Sequence, residues 1–272
     1  MKFIRGNNDH EIVLIDSEEN VLGKGYIYEG LASKFYEKDR VNYFIEVVVE
    51  VDDKDYKIRR LIVDELVKNA KERRKNYSDY DARVYHCCLS NDQEKIKFYS
   101  LIKGFKHDEG MHILTHNLKY ISNKISNKLE YEIKEETLNT EEEIQAFINE
   151  HSKIFRNHSY SVDGIRKLKE KEGFKNIAIY DNGHMIGNIL VMVNEETGLK
   201  FGLVEDLFVK EGFRNQRLGE ILVNRALEYF KTLDLHESRL EVWSANVRAI
   251  NLYNKVGYKF MKEIESSIGM NI

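Results

Sequence analysis

The sequence predicts an α/β fold with two domains in tandem, each a central mixed (α+β-type) sheet flanked by helices. Strand patterns alternate with helix patterns along 272 residues, a length that suits one large domain or two ordinary ones. The order of elements in the second half repeats part of the order in the first. A polar doubled tetrapeptide lies between them, so we place the domains at 1–118 and 129–272, with a linker at 119–128.

The elements of the second half follow from hydrophobic spacing. Period-two alternation predicts strands, and apolar residues three or four positions apart predict helices. Asp181-Asn182-Gly183 is a strong hairpin signal between two strands. The predicted elements are strand 129–134, helices 140–154 and 162–171, strands 176–180, 184–193 and 199–209, helix 217–233, strand 238–243, helix 247–255, and one or two strands within 258–272.

The first half shows a similar order of patterns. Aligning Ile58 with Leu218 superposes the apolar faces of two helices, and in the later helices, at a different offset, Phe98-Tyr99 corresponds to Leu252-Tyr253. A repeat of this length indicates two copies of one fold, the first without the opening strand and helices. The predicted elements are strands 11–16, 21–28 and 42–51, helix 58–70, strand 82–88, helix 92–102 and strand 111–114.

Composition and charge narrow the function. A formal net charge of −4 argues against a nucleic-acid binder, which usually presents a basic face to phosphates. No apolar run approaches the roughly 18 residues of a membrane span, and the N-terminus lacks the apolar core of a signal peptide. We therefore expect a cytoplasmic protein that binds neither nucleic acid nor membrane. The adjacent Cys87 and Cys88 have no metal-ligand spacing around them, so no metal is expected.

The most informative segment is 204–219, where a strand runs through a turn into a helix. Such a junction points unpaired backbone N–H groups and the positive end of the helix dipole at one spot. Arg214 and Arg217 add positive charge, and Gly219 lets the backbone approach closely. These features fit a pyrophosphate, although an arginine and a glycine also occur in ordinary turns of this kind.

Two motifs carry a resemblance to a known family. The run from Arg214 to Gly219 resembles the R/Q-x-x-G-x-G/A loop of the GNAT (Gcn5-related) N-acetyltransferases, with Arg217 in place of the first glycine. Further along, Asn246-x-x-Ala249-x-x-x-Tyr253-x-x-x-Gly257-Tyr258 resembles the family's second signature. Because both motifs occur in order, residues 129–272 are identified as a GNAT domain and the first half as a degenerate tandem copy.

The resemblance implies direct transfer of acetyl from acetyl-CoA, the cosubstrate, to a primary amine. The strand residues would pair with the pantetheine arm and polarise the thioester, and the turn would hold the pyrophosphate. Tyr253 would protonate the departing thiolate, and Glu205 or Asp206 would act as a base on the amine through water. The implied cofactor-binding residues are Leu207, Phe208, Val209, Arg214, Asn215, Gln216, Arg217, Leu218, Gly219, Asn246 and Tyr253.

Several roles stay open on pattern alone. Tyr253 also fits a core position of its helix, and Asn246 also fits a helix N-cap. Glu205 and Asp206 are adjacent on a strand, so they should point to opposite faces; Glu205 is favoured as the base and Asp206 as a ligand of the substrate ammonium. Residues 155–160 lie where family members usually select the substrate, but no substrate follows from them.

Three functions remain to be distinguished. The leading one is acetylation of a small-molecule amine, the second is acetylation of a protein or peptide amine, and the third is a non-catalytic acyl-CoA-binding or sensor protein. The turn of the first half, 51–60, has no glycine and three aspartates, so CoA is not expected there. That copy is expected to form a wall, a lid or a dimer surface, and a homodimer is one assembly to test.

Overall fold

The computed structural model describes residues 1–32, 38–120, 130–155 and 159–272. The predicted linker 119–128 and the predicted strand residue Leu129 fall largely outside these ranges. The fold is α/β, with mixed β-sheet flanked by helices. Within the described residues, no helix is both long enough and apolar enough to cross a membrane.

The chain forms two compact units, and neither is continuous in the sequence. Unit 1 comprises Met1–His112, Trp243–Val247 and Glu263–Ile272. Unit 2 comprises Ile113–Val242 and Arg248–Lys262.

The strands and helices of the first half are β1 (Lys2–Arg5), β2 (Glu11–Ile15), β3 (Val21–Ala32), β4 (Arg40–Val49), α1 (Lys57–Arg73), β5 (Asp81–Leu89), α2 (Gln93–Ser100) and β6 (Lys106–Asn117). Those of the second half are β7 (Glu132–Glu136), α3 (Glu141–Ile154), α4 (Val162–Lys169), β8 (Lys175–Asp181), β9 (His184–Glu196), β10 (Leu199–Val209), α5 (Leu218–Thr232), β11 (Glu237–Trp243), α6 (Val247–Val256) and β12 (Lys259–Asn271).

Unit 1 is built on the strand order β1-β2-β3-β4-β5-β12. Its pairings are antiparallel except for β4 with β5, which is parallel. The apolar face of α1, which carries Ile62, Val63, Leu66 and Ala70, packs in the same core as the sheet. Burial of these side chains, at about 25 cal/mol per Å² of apolar surface, is the main favourable term for this unit.

Unit 2 is built on the strand order β6-β11-β10-β9-β8-β7. One core contains the apolar faces of α5 and α6, including Leu222 and Tyr253. A second core contains those of α3 and α4, including Phe147 and Ile165. Residues of β10 alternate between the two cores, with Phe208 in the second and Val204 in the first. The strand therefore lies between two layers of helices.

The last strand of each unit comes from the opposite half of the sequence. The C-terminal strand β12 pairs with β5, from Glu265 opposite Leu89 to Asn271 opposite Arg83, and so completes unit 1. Residues 113–117 of β6, which we expected to close the first domain, belong to unit 2. The compact units therefore depart from the domain boundaries drawn along the sequence. A strand pattern in one sequence shows that a strand forms, but it does not say which sheet the strand joins.

Most predicted elements are confirmed. Thr140 caps α3 in a capping box with Glu143, and Asn182 and Gly183 form the hairpin turn with positive φ values of 48° and 80°. The end of the chain forms one long strand, where one or two were expected. Strand β1 was not predicted. The alignment of Ile58 with Leu218 is off by one, because α1 starts at Lys57 and α5 at Leu218.

Candidate active site

The sheet of unit 2 opens between β10 and β11. Their parallel pairing runs from Gly202 opposite Ser238 to Val204 opposite Leu240, where it ends. Strand β10 nevertheless continues to Val209, paired on its other edge with β9. The two neighbouring strands therefore diverge, and beyond Val204 one edge of β10 has no strand partner among the described residues.

The backbone groups on this open edge can be assigned. The N–H of Lys210 donates to the carbonyl oxygen of Ile186 on β9 at 2.8 Å. Because alternate residues of a strand point their N–H and C=O groups to the same side, Leu207 and Val209 point theirs toward the open edge. Arg214 reaches back over this edge, its Nε donating to the Val209 carbonyl oxygen at 3.3 Å.

A β-bulge lies at the start of the open edge. Val204 pairs with Val191 and Asp206 with Leu190, so Glu205 is the extra residue. A bulge breaks the alternation of side chains. The expectation that Glu205 and Asp206 point to opposite faces assumed an unbroken alternation and stays a prediction. Burial and then the charges of Asp206 and Glu205 raise the pKa of Tyr160 above its ordinary value, so both carboxylates lie within electrostatic range of that phenol.

Glu205 has the electrostatics of a base. Desolvation, followed by the negative charges of Asp206 and Glu241, raises the pKa of its carboxyl above the usual range, although the side chain still reaches solvent. Glu241 lies on β11, one position beyond the last residue paired with β10. A raised pKa makes a carboxylate a stronger proton acceptor.

Asp206 is oriented by a buried histidine. Its Oδ2 lies 2.5 Å from Nε2 of His151 on α3, and His151 is 1% exposed. Helical spacing placed His151 on the apolar face of its helix, but the sequence could not reveal this partner on a strand.

Tyr253 lies in the core of unit 2 with its ring 5.8 Å from that of Tyr258. Burial and then the charge of Asp206 raise the pKa of its phenol above the ordinary value. The group therefore stays protonated at neutral pH, as a proton donor to a thiolate must. The core position that the pattern allowed is therefore confirmed, and the residue lies within electrostatic range of Asp206. Its role as a proton donor stays a prediction.

The turn after β10 ends at an uncapped helix. Arg217, which precedes α5, has a left-handed backbone conformation (φ 62°) and makes no side-chain capping hydrogen bond. The first intrahelical bond joins the N–H of Ile221 to the carbonyl oxygen of Arg217 at 3.1 Å. The first N–H groups of a helix, here those of Leu218 and Gly219, have no intrahelical acceptor. They point, with the positive end of the helix dipole, at one spot.

The two arginines of this turn, Arg214 and Arg217, have different neighbours. Arg217 bonds to Glu220 through Nε and Nη2, at 3.2 and 3.1 Å, and so faces along its own helix. Arg214 instead lies near Arg248 of α6, and desolvation followed by the charge of Arg214 lowers the pKa of that guanidinium. Two like charges kept together suit an anion with more than one negative charge. Arg248 was not among the predicted site residues, although it lies in the second motif.

The remaining predicted residues have structural partners as well. Asn215 has a positive φ of 63°, and the Gln216 side chain accepts a hydrogen bond from the hydroxyl of Tyr131 at 2.7 Å. A Cβ on Gly219 would lie 2.9 Å from a methyl carbon of Leu252, so this glycine also permits close packing of α5 on α6. Asn246 belongs to unit 1, where its N–H donates to the Trp243 carbonyl oxygen at 2.8 Å.

The substrate-selecting segment expected at 155–160 is described only in part, because residues 156–158 fall outside the described ranges. Its two ends both contact the histidine that holds Asp206. Phe155 and Tyr160 have ring centroids 4.6 and 4.7 Å from that of His151. The prediction that this segment selects the substrate stays a prediction.

Comparison with known proteins finds a family match in the second half of the chain. Residues 138–258 match the model of the acetyltransferase (GNAT) family, a span that contains every predicted site residue and none of the first half of the chain. This match and the α/β fold together support a transferase of the GNAT acetyltransferase class.

The particular relatives are distant. Over 85 residues, 31% of this chain and 46% of the relative, the sequence is 29% identical to N-alpha-acetyltransferase 30 of Dictyostelium discoideum. The chain thus spans less than half of that protein. A GCN5-related N-acetyltransferase from Sphaerobacter thermophilus superposes with a TM-score of 0.52 at 11% identity, over 97% of this chain and 81% of that one.

A second solved structure is similar over nearly the whole chain. It is the GCN5-related glucosamine N-acetyltransferase region of a fungal multi-domain beta-N-acetylglucosaminidase, with a TM-score of 0.50 at 14% identity, over 95% of this chain and 32% of that one. At such identities the two structures bear on the fold alone.

Proposed function

We propose that unit 2 catalyses direct transfer of acetyl from acetyl-CoA to a primary amine. The observation that carries this proposal is the open edge of β10, at Leu207 and Val209, leading directly into the uncapped N-terminus of α5. The open edge of β10 offers strand-like hydrogen bonds to an extended pantetheine arm. The N-terminus of α5 offers N–H groups to a pyrophosphate. The spacing of these two features along one strand and one turn fits a molecule that has both parts.

The charged residues complete the fit to acetyl-CoA. Arg214 and Arg248 supply positive charge beside the helix N-terminus. Arg217 has the left-handed backbone conformation that a glycine adopts without strain, so its departure from the family loop leaves the shape of the turn intact. The thioester of acetyl-CoA supplies the activated acetyl group, and the residues of the chain bind it, orient it and move protons.

Protons move in two places. A substrate amine arrives as an ammonium ion and must lose a proton before its nitrogen can form the new C–N bond; Glu205, with its raised pKa, is the acceptor, directly or through water. As the C–S bond breaks, the thiolate takes a proton from the Tyr253 hydroxyl. A backbone N–H on the open edge polarises the thioester oxygen. The products are an N-acetyl amide and the free thiol of CoA.

The acceptor is proposed to be a small-molecule amine. Glu205, Asp206 and Glu241 give the region where β10 and β11 diverge a negative charge that attracts a cation. Acetylation of a protein N-terminus is the second candidate, favoured by the similarity to N-alpha-acetyltransferase 30. A panel of small amines and a panel of peptides with free N-termini, assayed with the same enzyme and acetyl-CoA, separates the two.

The tandem arrangement is part of the proposal. Unit 1 repeats the order strand, helix, strand, helix of unit 2, with β4, α1, β5 and α2 corresponding to β10, α5, β11 and α6. We propose that unit 1 is a degenerate copy without a cofactor. A homodimer through this copy stays a proposal, tested by light scattering.

The first experiment is calorimetric titration with acetyl-CoA. We expect one site per chain, weakened about tenfold or more by Arg214→Ala, because a charge-assisted hydrogen bond contributes about 1.5–3 kcal/mol. The matched control is Lys57→Ala at the start of α1, which should leave the affinity unchanged. Two sites per chain would contradict a degenerate unit 1, and no binding by folded protein would contradict the proposed function.

A further inference from the structure

A buried imidazole lies directly behind the carboxylates of the proposed active site. His151 lies on the face of α3 that also carries Ile144, Phe147 and Ile148, and its side chain is 2% exposed. Its Nε2 lies 2.5 Å from Oδ2 of Asp206 on β10, a residue 55 positions away in the sequence. The other buried residues on this face of α3 are apolar, so the hydrogen bond to Asp206 is what accounts for a polar side chain at this position.

The hydrogen of the imidazole can be assigned. An ionised carboxylate only accepts hydrogen bonds, so Nε2 carries the hydrogen. The other ring nitrogen, Nδ1, is buried and has no hydrogen-bond partner within the described ranges of the chain. A buried acceptor left unpaired is tolerated more often than a buried N–H donor, which again places the hydrogen on Nε2. The bond to Asp206 is thus the one polar contact that orients the ring.

Aromatic side chains fix the ring from the other directions. Phe147, Phe155, Tyr160 and Phe208, which we call the aromatic cage, have ring centroids 5.7, 4.6, 4.7 and 6.3 Å from that of His151. A ring enclosed in this way has few accessible rotamers, because protein cores are close-packed. The imidazole is therefore a rigid hydrogen-bond donor aimed at one carboxylate oxygen.

The two carboxylates at the bulge are held differently. Asp206 is bonded to His151, and its side chain is 15% exposed. Glu205 is the bulged residue and, within the part of the chain that the structure describes, makes no hydrogen bond or ion pair. One carboxylate oxygen of Asp206 is thus already bonded to an N–H donor, whereas both oxygens of Glu205 are left to accept a proton from the substrate.

On the basis of the proposed function, we propose that His151 is a positioning residue for acetyl transfer. Through Nε2–H it holds Asp206 in place, so that Asp206 acts as a fixed negative charge toward the ammonium and Glu205 is the group that takes its proton. The pair thereby resolves which of the two adjacent carboxylates is the base.

The test compares two variants of His151 in the full-length chain. His151→Leu removes the donor, and His151→Gln restores an N–H that can reach the carboxylate. We expect His151→Leu to lower kcat about tenfold, since a misplaced reacting group is costly, with KM for acetyl-CoA unchanged. His151→Gln should recover most of the loss. In an Asp206→Ala background, His151→Leu should change kcat by less than twofold, because the residue acts through Asp206.

Several outcomes would overturn the proposal. Equal loss of kcat in folded His151→Gln and His151→Leu would show that the aromatic ring matters, and not its N–H. A tenfold loss on adding His151→Leu to Asp206→Ala would show that His151 acts independently of Asp206.

A readout without turnover separates this proposal from the proposed function. In protein with ¹⁵N-labelled histidine, His151 should show the Nε2–H tautomer, and Asp206→Ala should shift its Nε2 resonance. Unchanged resonances would overturn the positioning role even in an active enzyme. Binding of acetyl-CoA without acetylation of any amine, together with the expected resonances, would contradict the proposed function and leave the Asp206–His151 pairing supported.

Discussion

Units 1 and 2 contain the same junction of strand, turn and helix, and they satisfy its backbone groups in opposite ways. In both, the residue before the helix has a left-handed conformation, Tyr56 before α1 and Arg217 before α5, with φ values of 57° and 62°. In unit 1, the carboxylate of Asp53 accepts hydrogen bonds from the N–H groups of Ile58 and Arg59, both at 2.9 Å. In unit 2, Arg217 makes no capping hydrogen bond to α5, and none to its first N–H groups is found among the described residues.

The two units also differ in what bonds to the backbone where the parallel strand pairing ends. In unit 1, the parallel pairing of β4 with β5 ends at Phe44 opposite Tyr85. In unit 2, the parallel pairing of β10 with β11 ends at Val204 opposite Leu240. There, Nδ1 of His86 lies 2.8 Å from the Ile45 carbonyl oxygen, and its ring stacks on Tyr99 at 4.2 Å. Side chains of unit 1 thus occupy both positions that we assign to the pantetheine arm and the pyrophosphate in unit 2.

The bulge accounts for a further difference. Strand β4 pairs with β3 in continuous register, whereas β10 has Glu205 as an extra residue against β9. The insertion places a carboxylate at the point of divergence. On our proposal that unit 1 is a degenerate copy, the comparison teaches that side chains can take over the hydrogen bonds of a ligand while the order of strands and helices is kept.

The largest expected difference between the units is at their matched tyrosines. Tyr253→Phe should lower kcat about 1000-fold, because general acid catalysis typically contributes 10²–10⁴-fold, and should leave the Kd for acetyl-CoA nearly unchanged. The control is Tyr99→Phe in unit 1, where the tyrosine is equally buried but stacks on His86. Steady-state kinetics and calorimetry measure both. A large loss of kcat in Tyr99→Phe would show that unit 1 takes part in catalysis.

The second prediction concerns the carboxylate at the bulge. Because burial and the charges of Asp206 and Glu241 raise the pKa of Glu205, kcat/KM should fall as the pH decreases through a value above that of an ordinary glutamate. Glu205→Gln should lower kcat about 100-fold and remove this acidic limb of the pH profile. The control is Glu46→Gln on β4. An acidic limb that persists in Glu205→Gln would assign the base to another group.

How much of the fold and of the candidate site could be predicted from the sequence depends on how far apart in the sequence the interacting residues are. Periodicity located β10, α5, β11 and α6, and the two motifs located Arg214, Gly219 and Tyr253, because these signals are local. The bulge at Glu205 could not be predicted, since a period-two pattern does not show an inserted residue. The prediction of opposite faces for Glu205 and Asp206 assumed a strand without such an insertion.

Long-range contacts were beyond the sequence patterns. The bond of His151 to Asp206 and the electrostatic effect of Arg214 on Arg248 depend on how elements pack, and a single sequence holds no record of such pairs. The pairing of β12 with β5 is of the same kind. The aspartates of the first turn led to the prediction that CoA does not bind there, but Asp53 as a cap on the helix needed the structure.

The third prediction tests the filled junction of unit 1. Asp53→Ala should lower the free energy of unfolding by about 1 kcal/mol, the usual cost of removing a capping side chain. Urea denaturation measures it, and inorganic phosphate should restore part of the loss by binding the freed N–H groups. The control is the exposed Asp52→Ala, whose ion pair with Lys54 is on the surface. If phosphate raises the free energy of unfolding of the wild type as much as that of Asp53→Ala, Asp53 does not occupy the N–H groups of this junction.

The smallest effect is expected at the left-handed residues themselves. Arg217→Gly should raise the free energy of unfolding by about 0.5–1 kcal/mol. A left-handed conformation costs a non-glycine residue roughly 1–2 kcal/mol, and the higher entropy of glycine in the unfolded state offsets part of that relief. Its exposed pair with Glu220 contributes little.

The matched change Tyr56→Gly should have the opposite sign. The Tyr56 ring lies 5.2 Å from that of Phe98 and under the guanidinium of Arg59, and these contacts outweigh the relief of strain. Urea denaturation of both variants gives the two signs. Stabilisation by both would mean that Tyr56 contributes no more packing than Arg217, and that strain alone sets the stability of both junctions.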